Sequence, residues 1–363
     1  MQQELAQRLL SATLDWSDEE IEKYRELLDD FSELKYDQYQ QYKPSSRFVE
    51  NLCIWLNQFE TNKERELALN FILKNLVFIS PAEMQHLVNT VYPEIVLPVF
   101  EKQVENLIAS TKNMLFSPGD IIKIVSRQSL FLAMSDGARI DVFRRFSELD
   151  HDQVCVNYDL SDTKFDEITC EMQKRTKEFA SVKSVPDEFL STSFRNVFLL
   201  DDFSGSGVSY LRQEDGKWKG KIVKVLKHLV MERIIQHNTD VTNPQIHIII
   251  YLITERAYRA LQENIAVYCK DKNISISVHY LQMIDQVCLT AEEENWLRKY
   301  YNPDFVEDSH YKKGNMDNPH HGFDGCALAL VLHHNTPNNS FPILWAGENA
   351  LFPRVTRHKD VRE

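Results

Sequence analysis

Residues 197 to 209, VFLLDDFSGSGVS, bring together the ingredients of an anion site. The apolar run Val197 to Leu200 reads as a buried strand, and Asp201 and Asp202 stand at its carboxyl end. Ser204, Gly205, Ser206, Gly207, Val208 and Ser209 follow, before an expected helix. Small residues let backbone N–H groups approach a phosphate, serine hydroxyls add donors, and a helix N-terminus presents the positive end of its dipole. Adjacent carboxylates can accept hydrogen bonds from the cis hydroxyls of a ribose or retain a magnesium-bound substrate. The plainer reading is a Gly/Ser turn whose aspartates cap the next helix. Agreement of strand, loop and helix context favours the anion site. The chain contains no GxxxxGK[ST], which argues against a P-loop nucleotidase.

A second junction of the same kind follows SLFLAM, residues 129 to 134, where Ser135, Asp136, Gly137, Ala138 and Arg139 lead into IDVFRRFSEL. A third polar cluster lies in residues 320 to 354, where His333, His334, Asn335, Thr336, Pro337, Asn338 and Asn339 separate an expected helix, Gly325 to Leu332, from the apolar run FPILWA. The pairs His320-His321 and His333-His334 raise the question of a metal. Adjacent histidines point in different directions and no helical carboxylate-histidine spacing accompanies them, so no ion held by the protein alone is expected.

These loops need a scaffold. From about residue 125, short β-rich runs alternate with helical segments: 129 to 134, 154 to 160, 196 to 202, 245 to 253 and 274 to 282 as strands, with helices at Ile140 to Leu149, Lys164 to Lys177, Lys221 to Gln236 and Glu255 to Lys270. The expected fold is α/β, a doubly wound, mostly parallel sheet that binds ligands outside the carboxyl ends of its strands. Residues 212 to 221, RQEDGKWKGK, predict a projecting hairpin turning at Asp215-Gly216. The first hundred or so residues carry helix signals only, with capping boxes at Ser17/Glu20, Thr61/Glu64 and Ser80/Glu83. The expected division is an all-helical region, residues 1–112, and an α/β domain, residues 113–363.

Composition narrows the function. A chain of 363 residues with 43% hydrophobic content can bury a sizeable core. A net charge of −13 disfavours direct binding to nucleic acid. The apolar runs are strand-sized, short of the roughly 18 to 20 residues of a membrane span. The six cysteines show no CxxC pair and read as reduced core thiols. With no visible secretory signal, the expected location is cytoplasmic.

The stretch LLDDFSGSGVS resembles the phosphoribosyl pyrophosphate motif of type I phosphoribosyltransferases: apolar residues, two acidic ones, then a Thr-Gly-x-Thr-like loop, here with Ser206 and Ser209 as the hydroxyl residues. The resemblance implies ribose contact from Asp201 and Asp202 and 5′-phosphate contact from Gly205 to Ser209, with Mg2+ arriving on the substrate. It implies that Ser135 to Arg139 hold pyrophosphate, and a guanidinium such as Arg139 can fork onto two oxygens of the departing group. The combination LLDDFSGSG, SDGAR and HHNTPNNSFPILW, spanning roughly residues 115 to 355, is similar to phosphoribosyltransferase-like domains of bacterial conflict and antiphage systems, including effectors encoded beside retron reverse transcriptases. On that resemblance His333, Asn335, Asn338 and Asn339 would lie near an acceptor or base pocket. The implied protein is an enzyme acting at the ribose anomeric carbon of phosphoribosyl pyrophosphate or a nucleotide. The alternatives are a non-catalytic sensor of the same ligands, or an adaptor whose N-terminal helices dock on a ribonucleoprotein. A reverse transcriptase and its nucleic acid would be met through a partner protein, no membrane is implied, and an oligomer is compatible with the sequence.

Overall fold

The computed structural model describes residues 2–109, 117–155, 161–229, 244–306, 311 and 314–355. They form two compact units, residues 1–84 with 285–363, and residues 85–284. This division differs from the expected one at residues 112 and 113.

The first unit begins with α1 (Gln2–Leu14), α2 (Asp18–Leu34), α3 (Phe48–Leu56) and α4 (Asn62–Asn75). Ser17 and Thr61 accept the N–H of Glu20 and Glu64, which return their carboxylates to the cap N–H groups. Ser80 and Glu83 repeat the exchange at 2.8 and 3.2 Å, where α5 (Pro81–Val91) begins. Between α4 and α5 lies β1 (Val77–Ile79), a strand within a region expected to be helical throughout. It pairs in parallel with β9 (Leu330–Leu332), Phe78 opposite Val331. The helix expected over Gly325 to Leu332 is therefore absent. Asp324, Gly325 and Ala327 take positive φ angles of 59°, 64° and 49°, which breaks a helix before the strand begins. The helices α12 (Ala291–Lys299) and α13 (Pro342–Trp345) complete this unit. Trp55 of α3 donates to the Ile343 carbonyl at 2.8 Å, and Tyr36, Phe48 and Phe78 pack around Phe352. These contacts are why the C-terminal segment groups with the first helices.

The second unit is built on five parallel strands in the order β3-β2-β4-β7-β8, with β2 Ser129–Ala133, β3 Val154–Cys155, β4 Asn196–Ser204, β7 Gln245–Thr254 and β8 Ile276–Ile284. Helices α6 (Leu97–Ala109), α7 (Pro118–Arg127), α8 (Ile140–Phe146), α9 (Asp162–Lys183), α10 (Lys221–Leu229) and α11 (Glu255–Lys272) accompany it. Parts of two predicted elements, residues 156–160 and 230–236, lie outside the described residues.

The central strands are apolar on both faces because both are covered. Leu130 and Leu132 of β2, Val197 and Leu199 of β4, and Ile246, Ile248 and Ile250 of β7 share a core with α9, α10 and α11. The intervening residues form an aromatic row on the other face. Phe131 stacks on Phe198 at 4.9 Å, Phe198 on His247 at 4.7 Å, and Phe143 of α8 and Phe100 of α6 pack against the row. Helices on both faces make the sheet doubly wound.

The predicted hairpin forms from β5 (Arg212–Glu214) and β6 (Lys217–Lys219). Asp215 and Gly216 have φ of 51° and 71°, the left-handed pair of a type I′ turn. The hairpin is anchored to α11, since Trp218 packs on Tyr268 and donates to the Asp271 carboxylate at 3.1 Å. All six cysteines are free thiols. No helix among the described residues is long and apolar enough to cross a membrane.

His247 is 4% exposed, and its Nδ1 lies 3.2 Å from His279 Nε2. Burial lowers its pKa from 6.5 to about 3, so folding favours the neutral ring. The unfolded chain binds this proton more readily, so the contribution to stability is full above pH 6.5 and is lost as pH falls towards 3. His247→Phe, which extends the aromatic row, should flatten this acid limb. Between pH 7 and pH 5 the wild type should lose about 2 kcal/mol more than the variant in urea unfolding.

Candidate functional site

The site follows from strand order. The chain passes from β2 to β3 on one side and then to β4 on the other, which makes the carboxyl ends of β2 and β4 the topological switch point. The two strands differ in length. Their register ends at Ala133 opposite Leu200, and the Met134 N–H donates to the Leu200 carbonyl at 2.8 Å. Beyond that, β4 runs on to Ser204 paired with β7 alone. Asp201 and Asp202 thus stand where β2 has turned away, and the turn of residues 135–139 fills the space beside them.

Asp201 is 0% exposed and fully engaged. Its Oδ1 accepts a short hydrogen bond from the Ser135 hydroxyl, and its Oδ2 accepts from Tyr210 Oη at 2.6 Å and Lys221 Nζ at 2.5 Å. Tyr210 also donates to the Phe203 carbonyl at 2.9 Å, and the Lys221 ammonium lies 4.8 Å from the centre of the Tyr210 ring. Burial pushes the Asp201 carboxyl above the usual carboxylate range; Lys221 opposes this and Asp202 reinforces it. Such a group organises the site and is closed to a ligand.

Asp202 is partly exposed. The Ser135 hydroxyl lies 3.3 Å from its Oδ1. A Cβ at position 137 would fall 2.1 Å from its Oδ2, so Gly137 is the residue that lets the turn close over this carboxylate. Asp136 to Ala138 form a single 3₁₀ turn, and Tyr251 of β7 donates to the Ala138 carbonyl at 2.5 Å. Arg139 follows with a left-handed backbone, φ 45° and ψ 46°, at the head of α8. Positive φ at a non-glycine residue is a strained conformation, more frequent at functional loops.

After β4 the chain bends through Gly205 to Ser209. Thr254, the cap of α11, accepts the Ala257 N–H at 3.0 Å and donates to the Gly205 carbonyl at 2.6 Å. Gly207 has φ +75°, and a Cβ there would approach the Ala257 carbonyl oxygen to 3.1 Å. The helix expected directly after this loop does not follow it. A turn closes at Tyr210 and Leu211, the hairpin intervenes, and α10 starts at Lys221, whose N–H donates to the Ser209 carbonyl at 3.0 Å. The loop is nonetheless rich in unused donors. Among the described residues, the N–H groups of Ser206, Gly207 and Ser209 donate no hydrogen bond, and the buried Ser204 hydroxyl has no partner. Ser204, Ser206 and Gly207 are buried and Ser209 is exposed; buried polar groups are rarely left without a partner, and this concentration suits an anion.

The structure therefore brings together Ser135, Asp136, Gly137, Ala138 and Arg139 with Asp201, Asp202 and residues 204–209. His333, Asn335, Asn338 and Asn339 belong to the other unit, where their polar groups brace a loop. The His333 N–H donates to the Ile79 carbonyl at 2.9 Å, and the Asn338 carbonyl accepts from Phe323 N–H at 2.7 Å. Asn335 holds Val355 at both N–H and carbonyl, and Asn339 donates to the Phe323 carbonyl at 3.3 Å. Sequence reasoning missed Tyr210, Lys221, Tyr251 and Thr254. Lys221 did carry a signal, because a lysine at a helix N-terminus opposes the dipole and calls for a carboxylate partner.

A family model described as PRTase-CE matches residues 52–354, most of the chain. The chain belongs to this family and carries a phosphoribosyltransferase-like domain. No curated protein and no solved structure gives a match.

Removing Lys221 strands the buried Asp201 charge. Lys221→Met should lower the unfolding free energy by about 3 kcal/mol in a denaturant titration. Adding Asp201→Asn should recover more than half of that loss, since the amide leaves no charge to compensate.

Proposed function

We propose that this PRTase-CE protein binds a phosphoribosyl ligand at the switch point and acts at its ribose anomeric carbon. The carrying observation is the convergence of the two loops through Ser135, which joins Asp201 and Asp202, beside a loop with unused N–H donors. In this reading residues 204–209 take the 5′-phosphate, with the N–H groups of Ser206, Gly207 and Ser209 and the Ser204 hydroxyl as donors. Asp202 contacts the ribose hydroxyls, and Ser135 to Arg139 hold the departing pyrophosphate or diphosphate oxygens.

The residues suit magnesium in a limited way. Asp201 is committed to Lys221, so Asp202 is the carboxylate that would hold the ion, and magnesium is commonly bound by one or two carboxylates together with substrate phosphates. When bound, the ion would neutralise phosphate charge at the leaving group. Little else is asked of side chains, because bond breaking at an anomeric carbon is promoted mainly by positioning and by stabilising charge.

The resemblance to antiphage proteins supports a place as an effector released by a partner, such as a complex of reverse transcriptase and nucleic acid. A second reading, a sensor that binds without turnover, is favoured by the internal neutralisation of Asp201, which withdraws that carboxylate from a ligand. Fold alone does not decide between them.

Isothermal titration in magnesium buffer with phosphoribosyl pyrophosphate, nucleoside monophosphates and NAD tests the site. Wild type should bind at least one of them, with affinity at least about tenfold weaker in Asp202→Asn, the cost of one charge-assisted contact. Binding by none of them, or unchanged binding by the variant, would overturn the assignment. Consumption of the bound ligand separates the enzyme from the sensor. For the effector role, protection of a host against phage should vanish with Asp202→Asn.

A further inference from the structure

The unit formed by residues 1–84 and 285–363 contains a cluster of metal-ligand type that the switch-point site does not use. Helix α12 opens with a capping box, in which Thr290 Oγ1 accepts the Glu293 N–H at 3.2 Å and Glu293 takes the Thr290 N–H at 2.7 Å. This fixes the first turn and with it Glu294. Residues Pro319–His321 form a 3₁₀ turn. Both imidazoles converge on the one carboxylate: His320 Nε2 lies 2.7 Å from Glu294 Oε1, and His321 Nε2 lies 2.6 Å from Oε2. The ring centres are 4.4 Å apart. Sequence neighbours with no nearby carboxylate were expected to diverge; the third group comes instead from a helix well before them in the chain.

The turn that carries the histidines is braced. The His321 carbonyl accepts the Ala327 N–H at 2.8 Å, and Tyr311 Oη donates to the Pro319 carbonyl at 2.8 Å. Gly322 has φ +87°, and a Cβ there would sit 2.5 Å from the Asn339 carbonyl oxygen. One ligand atom from each of Glu294, His320 and His321 falls within 4.8 Å of the other two. Two imidazoles and a carboxylate are the donor set of a borderline divalent ion such as zinc, whereas magnesium and calcium prefer oxygen ligands alone. Arg298 Nη2 lies 3.0 Å from Glu294 Oε1. That contact can hold one carboxylate oxygen as an outer-shell partner while Oε2 serves as ligand. The His320 side chain is 5% exposed, while those of His321 and Glu294 retain 19% and 27%, so solvent reaches the cluster from the side of the latter two.

We propose that Glu294, His320 and His321 bind a single divalent transition-metal ion, zinc by donor preference, which ties α12 to the histidine turn and leaves one coordination position open to solvent. A site with three protein ligands and an open position can hold water or a substrate oxygen.

The test uses the full chain, stripped with a chelator and titrated with Zn2+ by calorimetry and with Co2+ by visible absorption. A single ion per chain, a rise in Tm on adding Zn2+, and tetrahedral Co2+ bands without thiolate charge transfer support the site. Glu294→Gln and His321→Asn should each weaken Zn2+ binding by more than the about 10 to 100-fold that loss of an outer-shell partner costs. No stoichiometric uptake, uptake unchanged in both variants, or a thiolate charge-transfer band would overturn it. Should Glu294→Gln fail to fold, the half-buried His321 variant and the wild-type Co2+ spectrum still decide the question.

Discussion

The second unit is organised around a buried charge. Because β4 outruns β2, Asp201 occupies a sheet position with a strand on one side only, and its carboxylate is wholly removed from water. An isolated ionised group there would be untenable, so the surroundings supply Ser135 from the turn after β2, Tyr210 from the turn after the loop of residues 204–209, and Lys221 from the head of α10. Each donor belongs to a different loop of the switch point. Compensating one charge therefore fixes the relative position of all three, and the neighbouring Asp202 and the loop at 204–209 inherit that order.

The sheet beneath makes this order rigid. Its central strands carry aliphatic residues towards α9, α10 and α11 and an aromatic row towards α6 and α8, so neither face can slip by one residue without exchanging the two sets. The same register sets where β2 ends against β4. A loop on such a scaffold needs little strain of its own; in the turn of residues 135–139 the left-handed non-glycine backbone is that of Arg139.

In the other unit the polar residues are used differently. The amides of Asn335 and Asn339 saturate backbone groups of the loop, and β1 and β9 supply each other's ladder. These bonds tie the polar, turn-rich segment between two apolar runs into an ordered loop. Among the described residues, two histidines and a carboxylate converge at the turn of residues 319–321.

Much of what local periodicity and backbone chemistry govern could be read from the chain without its fold. The buried runs of β2, β4 and β7, the three capping boxes, the Asp215-Gly216 turn and the Gly/Ser loop after β4 were all legible, because each depends on residues a few positions apart. The parallel sheet and the phosphoribosyltransferase-like family followed from the same residues. Only the tertiary structure decided that Asp201 is consumed inside the protein while Asp202 remains partly open, that Lys221 is its partner, that residues 330–332 are a strand, and that Glu294 meets two histidines. Each of these is a pairing between residues distant in the chain. The energy of a buried charge, a strand edge or a metal ligand depends on a partner that no local pattern names.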